Sequence, residues 1–444
     1  MTTTSSVGLM FMFLVDAATL FWVAQLSDDM LVAAVGFAWT VQFFTISAGI
    51  GLAIAATALV SRAIGQGDWS RARALTAGSF VLAFGVQALV SGTAVLFREP
   101  ILALMGADGE THRIASRFLL LSMPSLPLMA VGMVAGAVLR AAGDGVRAMM
   151  VTLSAGFVAV LLDPFLILRT DEFFGLQLPM VLGVGLGVDG AAYGVVASRA
   201  TVAIVGLYFV LRAHDLVEWP SLSGLILTSR PFAMIAGPAI LTQMSTPFGN
   251  ALLTRLISEF GDSAVAGWSV VSRLTVLAFG GIFALSGAIG GIIGQNNGAG
   301  LMDRVKSAYR DSLIFCAVYT VAVWATLAAL TSGVIGAFNL QDEGAEVMIA
   351  FTGLAAGGFV FTGAIFVANA AFNNLGRPLW STGVNWLRDG VLMYPVAGAF
   401  AGGFAAPGVI YGQAVASVLV GCAATFLAWR FIDGLVKETG LVRA

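Results

Sequence analysis

One acidic residue stands inside an apolar stretch long enough to cross a membrane. Residues 149–168 read MMVTLSAGFVAVLLDPFLIL, in which Asp163 is the single charged side chain and is followed at once by Pro164. A carboxylate inside a bilayer core costs at least about 3 kcal/mol, so such a residue is usually functional, and its chemistry is to bind a proton or a cation. The alternative is that Asp163 lies near the helix end and reaches the polar headgroups, with Pro164 marking a kink.

A second acid, Asp16, lies in the first apolar run, within VDAATLFWVAQLSD. Removal from water and a nearby second carboxylate both favour the protonated form of an aspartate. If Asp16 and Asp163 lie close together, they can share one proton. We therefore expect these two acids to form a proton-coupling site for transport.

Other ionisable residues also fall within apolar runs, namely Arg199, Arg273 and the adjacent pair Arg388 and Asp389. They either line a cavity or serve the structure. Adjacent residues point about 100° apart on an α-helix, so Arg388 and Asp389 are expected to pair with different neighbours or with water. Arg199 and Arg273 can extend toward an interface.

The composition determines the class of protein. Of the 444 residues, 59% are hydrophobic and 10% are charged, against about 25% charged in a soluble domain. Apolar runs of eighteen or more residues recur along the chain, which predicts a polytopic α-helical membrane protein. The two cysteines have no CxxC spacing, so the sequence predicts no metal site and no cofactor.

Twelve membrane helices are predicted, and the second and eighth are longer than one membrane thickness. Their approximate ranges are 7–26, 31–60, 75–97, 115–139, 148–168, 190–211, 232–257, 264–293, 312–338, 346–371, 380–402 and 407–431.

The loop charges indicate the orientation. With the N-terminus in the cytoplasm, fourteen basic residues lie inside and five outside, which agrees with the positive-inside rule and places both termini in the cytoplasm. The five outside are Arg98, Arg113, Arg117, Arg169 and Arg255.

An internal repeat underlies the twelve helices. Ile64-Gly65-Gln66 matches Ile293-Gly294-Gln295, and LRAAGDG matches FNNLGRP, with an offset of 220 to 233 residues. Six helices per copy give both copies the same orientation. We therefore predict two parallel six-helix lobes at 1–211 and 231–444, joined by a cytoplasmic linker at 212–230.

The two acids are not part of this repeat. Asp16 falls opposite Gly249, and Asp163 falls opposite the neighbourhood of Pro395 and Val396. Because neither has a carboxylate counterpart in the second half, function is expected at these asymmetric positions.

Several motifs in order resemble those of the multidrug and toxic compound extrusion (MATE) family. They are VDAATLFWVAQLSD, VSRAIGQGDWSRAR, LRAAGDG followed by LLDPFLIL, and GQNNGAG. The resemblance covers essentially the whole chain. It implies two lobes that open a central cavity alternately to each side and export cationic or amphipathic compounds against inward flow of H⁺ or Na⁺.

The placement of Asp16 and Asp163 resembles the DinF-like branch, whose coupling site uses one aspartate in the first helix and one in the fifth. The chain departs from that branch at Ala159, where Asn is usual, and at Val195, where Thr is usual. Pro238 has no counterpart proline at Ser5. Fewer oxygen donors favour H⁺ over Na⁺, since Na⁺ requires several oxygens.

The sequence thus predicts a secondary antiporter of the bacterial inner membrane, in contact with membrane lipid and a small-molecule substrate. We expect a monomer that binds no nucleic acid and is not an enzyme. The alternative is a lipid-linked glycan flippase of the same superfamily, although flippases usually need a strongly basic cavity and only three basic residues lie in the spans. The glycine-rich turns Gly65-Gln66-Gly67 and Gly143-Asp144-Gly145 lack the GK[ST] ending of a phosphate loop, so neither is predicted to bind the phosphates of ATP.

Overall fold

The computed structural model describes residues 29–168 and 184–443, together with seven helical positions at 8, 11, 15, 18, 19, 22 and 23. Within this part of the chain the structure is helical and contains no β-strand. The helices in chain order are α1 (Asp29–Gly65), α2 (Trp69–Leu96), α3 (Arg98–Leu104), α4 (Gly109–Ser122), α5 (Leu126–Ala141), α6 (Gly145–Ile167), α7 (Val188–Tyr208), α8 (Leu222–Ser258), α9 (Asp262–Ala278), α10 (Gly280–Gly298), α11 (Met302–Ala337), α12 (Asp342–Gly353), α13 (Phe359–Asn374), α14 (Pro378–Trp386) and α15 (Met393–Arg443).

The helix lengths fit a membrane. Among the described residues, nine helical segments are long and apolar enough to cross a bilayer, and α9 with α10, bent by 43°, makes a tenth. The last of the nine is 62 residues long, about three times what a crossing of about 30 Å needs. Its backbone is non-helical at Ala405, where the sequence predicts the boundary between two helices. The all-α membrane fold is therefore confirmed.

The helix boundaries repeat along the chain. The corresponding starts are Asp29 and Asp262, Trp69 and Met302, Leu126 and Phe359, and Gly145 and Pro378, each pair separated by the same 233 positions. Gly65 and Gly298 end helices at this spacing as well. The predicted internal repeat is thus present in the structure itself.

Three predicted helices are interrupted by a 3₁₀ turn or by a non-helical residue. The fourth is divided by a 3₁₀ turn, Met123–Ser125, with Pro124 inside it. The tenth has a 3₁₀ turn at the equivalent place, Ala355–Gly358, and the eighth breaks at Phe279 between α9 and α10. Hydropathy continues across such breaks, so a reading of apolar runs joins the two segments.

Packing divides the chain into two compact units. One contains the described parts of 7–56 and 69–232, and the other contains residues 57–68 and the described part of 233–444. The end of α1 therefore belongs to the second unit, where it crosses α10. A Cβ on Gly65 would collide with the backbone oxygen of Gln295, and one on Gly298 with that of Arg62. The two matching Ile-Gly-Gln motifs of the repeat thus pack against each other.

The residues predicted as a linker, 212–230, are helical at both ends. A π-helical turn, Phe209–Ala213, extends α7, and α8 already begins at Leu222. The hydroxyl of Ser221 accepts a hydrogen bond from the Gly224 amide at 3.1 Å, which is the usual N-cap contact. The helix then passes α2, where the missing side chain of Gly78 leaves room for Thr228.

Candidate functional site

Backbone contacts between the end of α6 and the residues that precede α7 position Asp163. At the end of α6, the backbone carbonyls of residues 165–168 accept hydrogen bonds of 2.8 to 3.1 Å from the amides of residues 184–187. A Cβ on Gly190 would collide with the Leu166 oxygen, so the end of α6 lies close to the start of α7. This fixes the register that places Gly194 of α7 beside Asp163 of α6.

Asp163 is buried, with 1% of its surface exposed. The Thr19 hydroxyl donates a short hydrogen bond to Oδ2 of the carboxylate. The other oxygen, Oδ1, faces Gly194, where a Cβ would overlap it, and it has no hydrogen-bond partner in the part of the chain that the structure describes. A carboxyl group with one neutral donor and one open oxygen can accept and release a proton. Asp16, its predicted partner, lies outside the described residues.

The two departures from the expected pattern are visible around Asp163. Ala159 lies one turn earlier on α6 and is buried, and Val195 follows Gly194 on α7. Neither side chain carries an oxygen. Among the described residues, no group of three or more His, Cys, Asp or Glu side chains is arranged to hold a metal ion.

Arg199 lies on α7 within a buried polar network of the same unit. Its guanidinium donates to the Ser122 carbonyl at 2.8 Å, to the Ser125 hydroxyl at 3.1 Å and to the Gln42 side chain. Gln42 in turn donates to the Ser122 hydroxyl at 3.1 Å. Arg199 thus satisfies groups at the 3₁₀ break between α4 and α5. Arg273, by contrast, is exposed on α9.

Arg388 and Asp389 pair with each other. The Arg388 guanidinium makes two hydrogen bonds to the Asp389 carboxylate, at 2.6 and 3.0 Å, and the Ser245 hydroxyl donates a third at 2.9 Å. The expectation of separate partners was wrong because residues Leu387–Leu392 form a π-helical turn. Such a turn rotates less per residue than an α-helix, so adjacent side chains diverge less.

Asp389 has the same kind of helical partner as Asp163. Thr19 and Asp163 are 144 residues apart, and so are Ser245 and Asp389. In each half, a hydroxyl of the first predicted helix (7–26 or 232–257) therefore donates to an acid of the fifth predicted helix (148–168 or 380–402). The second half does contain an acid in this role, but at a shifted position that sequence alignment by the repeat did not reveal.

A cluster of amides in the second unit was also not predicted. Asn385 donates to the Asn369 side chain at 3.0 Å, and Ser381 donates to that of Asn373 at 3.1 Å. All four residues are buried. Their polar side chains within apolar spans were a usable signal, since buried polar groups must find partners.

The MatE family model matches residues 5–165 and 238–397, that is, once in each copy of the repeat. The chain belongs to the MATE family. Two curated MATE relatives cover nearly its full length. The FAD transporter of Shewanella oneidensis is 25% identical over 98% of this chain and 94% of its own. The multidrug export protein MepA of Staphylococcus aureus is 22% identical over 95% and 90%.

Solved MATE structures share the fold. A crystal structure of a MATE protein in complex with MaL6 superimposes with a TM-score of 0.88 at 20% identity, covering 98% of this chain and 96% of that one. The Vibrio cholerae MATE transporter VcmN gives 0.86 at 23% identity, covering 97% and 94%. The predicted family and the twelve-helix, two-lobe MATE architecture are thereby confirmed, and the chain is a multi-pass membrane transporter.

Proposed function

We propose that this transporter is a secondary antiporter that exports small organic cations or amphipathic compounds in exchange for H⁺, in the manner of the DinF-like branch. The observation that carries the proposal is Asp163, a buried carboxylate in a membrane-spanning helix, with a hydroxyl bonded to one oxygen and no hydrogen-bond partner for the other among the described residues. Asp163 has no ion-pair partner among the described residues, and an intramembrane acid of this kind marks a proton pathway more often than a structural contact.

The proposed coupling step is a change in charge at one helix contact. An ionised Asp163 accepts the Thr19 hydrogen bond on Oδ2, whereas a protonated carboxyl also carries a donor that needs an acceptor. Uptake of a proton, shared with Asp16, thereby alters how the N-terminal helical segment packs against α6. In the proposed cycle this change accompanies release of substrate outward, and the proton leaves inward. One charge moving through 100 mV supplies about 2.3 kcal/mol.

The proposed orientation places both termini in the cytoplasm and the protein in a bacterial inner membrane. The ratio of fourteen basic residues inside to five outside supports it. Arg199 and Arg388 contact partners within their own units, which reduces the basic groups available for a diphosphate. A glycan flippase is therefore the weaker alternative.

The decisive experiment is efflux of a fluorescent lipophilic cation from proteoliposomes under an imposed pH gradient or an imposed Na⁺ gradient. We expect efflux that follows the pH gradient and is lost in Asp163→Asn. The matched control is Asp311→Asn, since Asp311 is an exposed aspartate on α11, and this variant should transport normally. Normal pH-driven efflux in Asp163→Asn would refute the coupling role, and efflux driven by Na⁺ alone would refute H⁺ coupling.

A second candidate substrate is a flavin dinucleotide, because one relative of similar length is an FAD transporter. The same proteoliposomes, assayed for FAD, distinguish the two. Transport of FAD without transport of lipophilic cations would replace the proposed substrate class.

A further inference from the structure

An apolar cleft lies on the second unit, where α11, α13 and α15 meet. It has a volume of about 610 Å³, within the range of sites that hold a small organic molecule. Its lining is formed by Leu313, Val360, Phe361, Ala364, Cys422, Thr425, Phe426 and Trp429. The hydroxyl of Thr425 bonds the Gly421 carbonyl of its own helix, so the lining offers almost no polar contact.

Two cations stand over aromatic rings of this lining. The Lys306 ammonium lies 5.1 Å from the centre of the Trp429 ring, and the Arg430 guanidinium lies 5.6 Å from that of Phe426. Both distances are within reach of a cation–π interaction. The cleft therefore has a positive end and an otherwise apolar body.

The two cations are at the same end because α11 and α15 run in opposite directions. The first turns of α11 meet the last turns of α15, as the 2.5 Å contact between Lys306 and Asp433 shows. Asp433 offsets the charge of Lys306, whereas Arg430 is exposed and its contact in the described structure is the Phe426 ring. Arg430 thus contributes most of the positive charge.

We propose that this cleft binds an anionic phospholipid of the surrounding membrane. One acyl chain lies along the apolar lining, and the headgroup phosphate contacts Arg430 and Lys306. Basic groups that flank apolar surface between membrane helices are the usual recognition site of an anionic headgroup. The same positive end opposes an organic cation, so this cleft is distinct from the substrate cavity of the proposed antiporter.

Cys422 in the lining provides the test. It is exposed, whereas Cys316, the other cysteine of the chain, is buried. The full-length protein in mild detergent is treated with a maleimide, and modification of Cys422 is followed by mass spectrometry as phosphatidylglycerol or phosphatidylcholine is added. One basic contact strengthens anionic lipid binding about fivefold, so phosphatidylglycerol should protect Cys422 at a concentration at least about fivefold lower.

Charge variants make the test specific. Arg430→Gln should remove most of the preference for phosphatidylglycerol, and adding Lys306→Gln should remove the rest. Arg304→Gln, at an exposed arginine on α11 that is not part of the lining, should keep the preference. An unchanged rate of modification without lipid shows that each variant remains folded.

Three outcomes would overturn the proposal. The first is equal protection of Cys422 by the two lipids. The second is a preference for phosphatidylglycerol that persists in the double variant Arg430→Gln with Lys306→Gln. The third is protection of Cys422 by tetraphenylphosphonium at concentrations where phosphatidylglycerol has no effect. The last result would identify the cleft as a site for organic cations.

Discussion

Asp163 and Asp389 differ in the charge of their partners. Thr19, the described partner of Asp163, is a neutral hydroxyl, whereas Asp389 is held by the Arg388 guanidinium as well as by Ser245. Both oxygens of Asp389 accept hydrogen bonds from Arg388, whereas Oδ1 of Asp163 has no hydrogen-bond partner among the described residues. We therefore expect coupling to depend on Asp163 rather than on Asp389.

Gly194→Ala tests the space beside Asp163. The added methyl group would overlap Oδ1, so the carboxylate must move, and overpacking of this kind costs about 1–3 kcal/mol. We expect greatly reduced pH-driven efflux with retained membrane insertion. Gly85→Ala is the matched control, since nothing lies within 4 Å of a Cβ at Gly85. Normal efflux in Gly194→Ala would show that the position of Oδ1 does not matter for coupling.

Asp389→Asn tests the ion pair of the second unit. The side chains of Arg388 and Asp389 are 6% and 2% exposed, and removal of one partner from a buried pair costs about 3–5 kcal/mol. Thermal unfolding in detergent should show a large loss of stability. Replacing both residues, as Arg388→Met with Asp389→Leu, should restore much of it. If the single and double variants unfold at the same temperature, the pair is not what stabilises this turn.

At the scale of the helix, the sequence predicts that a helix is present better than it predicts where that helix begins and ends. The third predicted helix begins six residues late, at 75 rather than at Trp69 of α2, because the first turns contain Arg71 and Arg73, which hydropathy excludes. The first turns of α8, from Leu222, were assigned to the linker as an amphipathic or loop segment. Caps and breaks depend on single side chains such as Ser221 and Pro124, which a periodicity argument averages away.

Asp144 caps α6 and should do so in a pH-dependent way. Its side chain accepts a hydrogen bond from the Arg147 amide at 2.9 Å. Partial burial raises its pKa, but the bonds from that amide, from His214 and from the Arg147 side chain lower the pKa more, so that it lies below the ordinary value. A lowered pKa means stabilisation that is present above the unfolded pKa and is lost as pH falls through the folded one.

Asp144→Ala should therefore cost about 1 kcal/mol at neutral pH, and the difference from wild type should shrink in acid. Thermal unfolding measured across acidic and neutral pH checks this. Asp144→Ser keeps a capping oxygen but no charge, so its deficit should be smaller and independent of pH. If Asp144→Ala loses the same stability at every pH, the charge of the Asp144 carboxylate does not contribute to the cap.

The crossing of α1 and α10 should tolerate no side chain. At Gly65 and Gly298 a Cβ meets backbone oxygen rather than a movable side chain, so Gly65→Ala and Gly298→Ala should each cost about 1–3 kcal/mol. Gly333→Ala, where nothing lies within 4 Å of the added atom, should be neutral. Unfolding temperatures in detergent give the comparison. Equal stability of all three variants would mean that the crossing relaxes without cost.

For the whole molecule, the internal repeat predicts the fold further than it predicts the site. It predicts two lobes of the same orientation, whereas the apolar run 149–168 is what places Asp163 on its helix. The repeat does not predict that Thr19 and Gly194 contact Asp163, or that Arg388 pairs with Asp389. Those contacts depend on how α6, α7 and the π-helical turn approach their neighbours. The equal spacing of hydroxyl and acid in both halves was the one signal available in advance.

The repeat also makes a prediction about topology. Asp108 precedes α4 and Gln341 precedes α12 with nearly the same extended backbone conformation, while Gln66 and Ala299 follow the two glycine-rich helix ends. Since each copy has six crossings, the members of each pair must face the same side of the membrane, and the loop charges place the second pair inside.

Cysteine accessibility tests this topology in intact cells. In a Cys422→Ser background, Asp108→Cys and Gln341→Cys should react with a membrane-impermeant maleimide from outside, and Gln66→Cys and Ala299→Cys only after permeabilisation. If both pairs exchange sides, the proposed orientation is inverted but the repeat stands. If the two members of one pair react from opposite sides, the copies have opposite orientations. The basic residues could then no longer lie on one face, and the cytoplasmic location of both termini would lose its support as well.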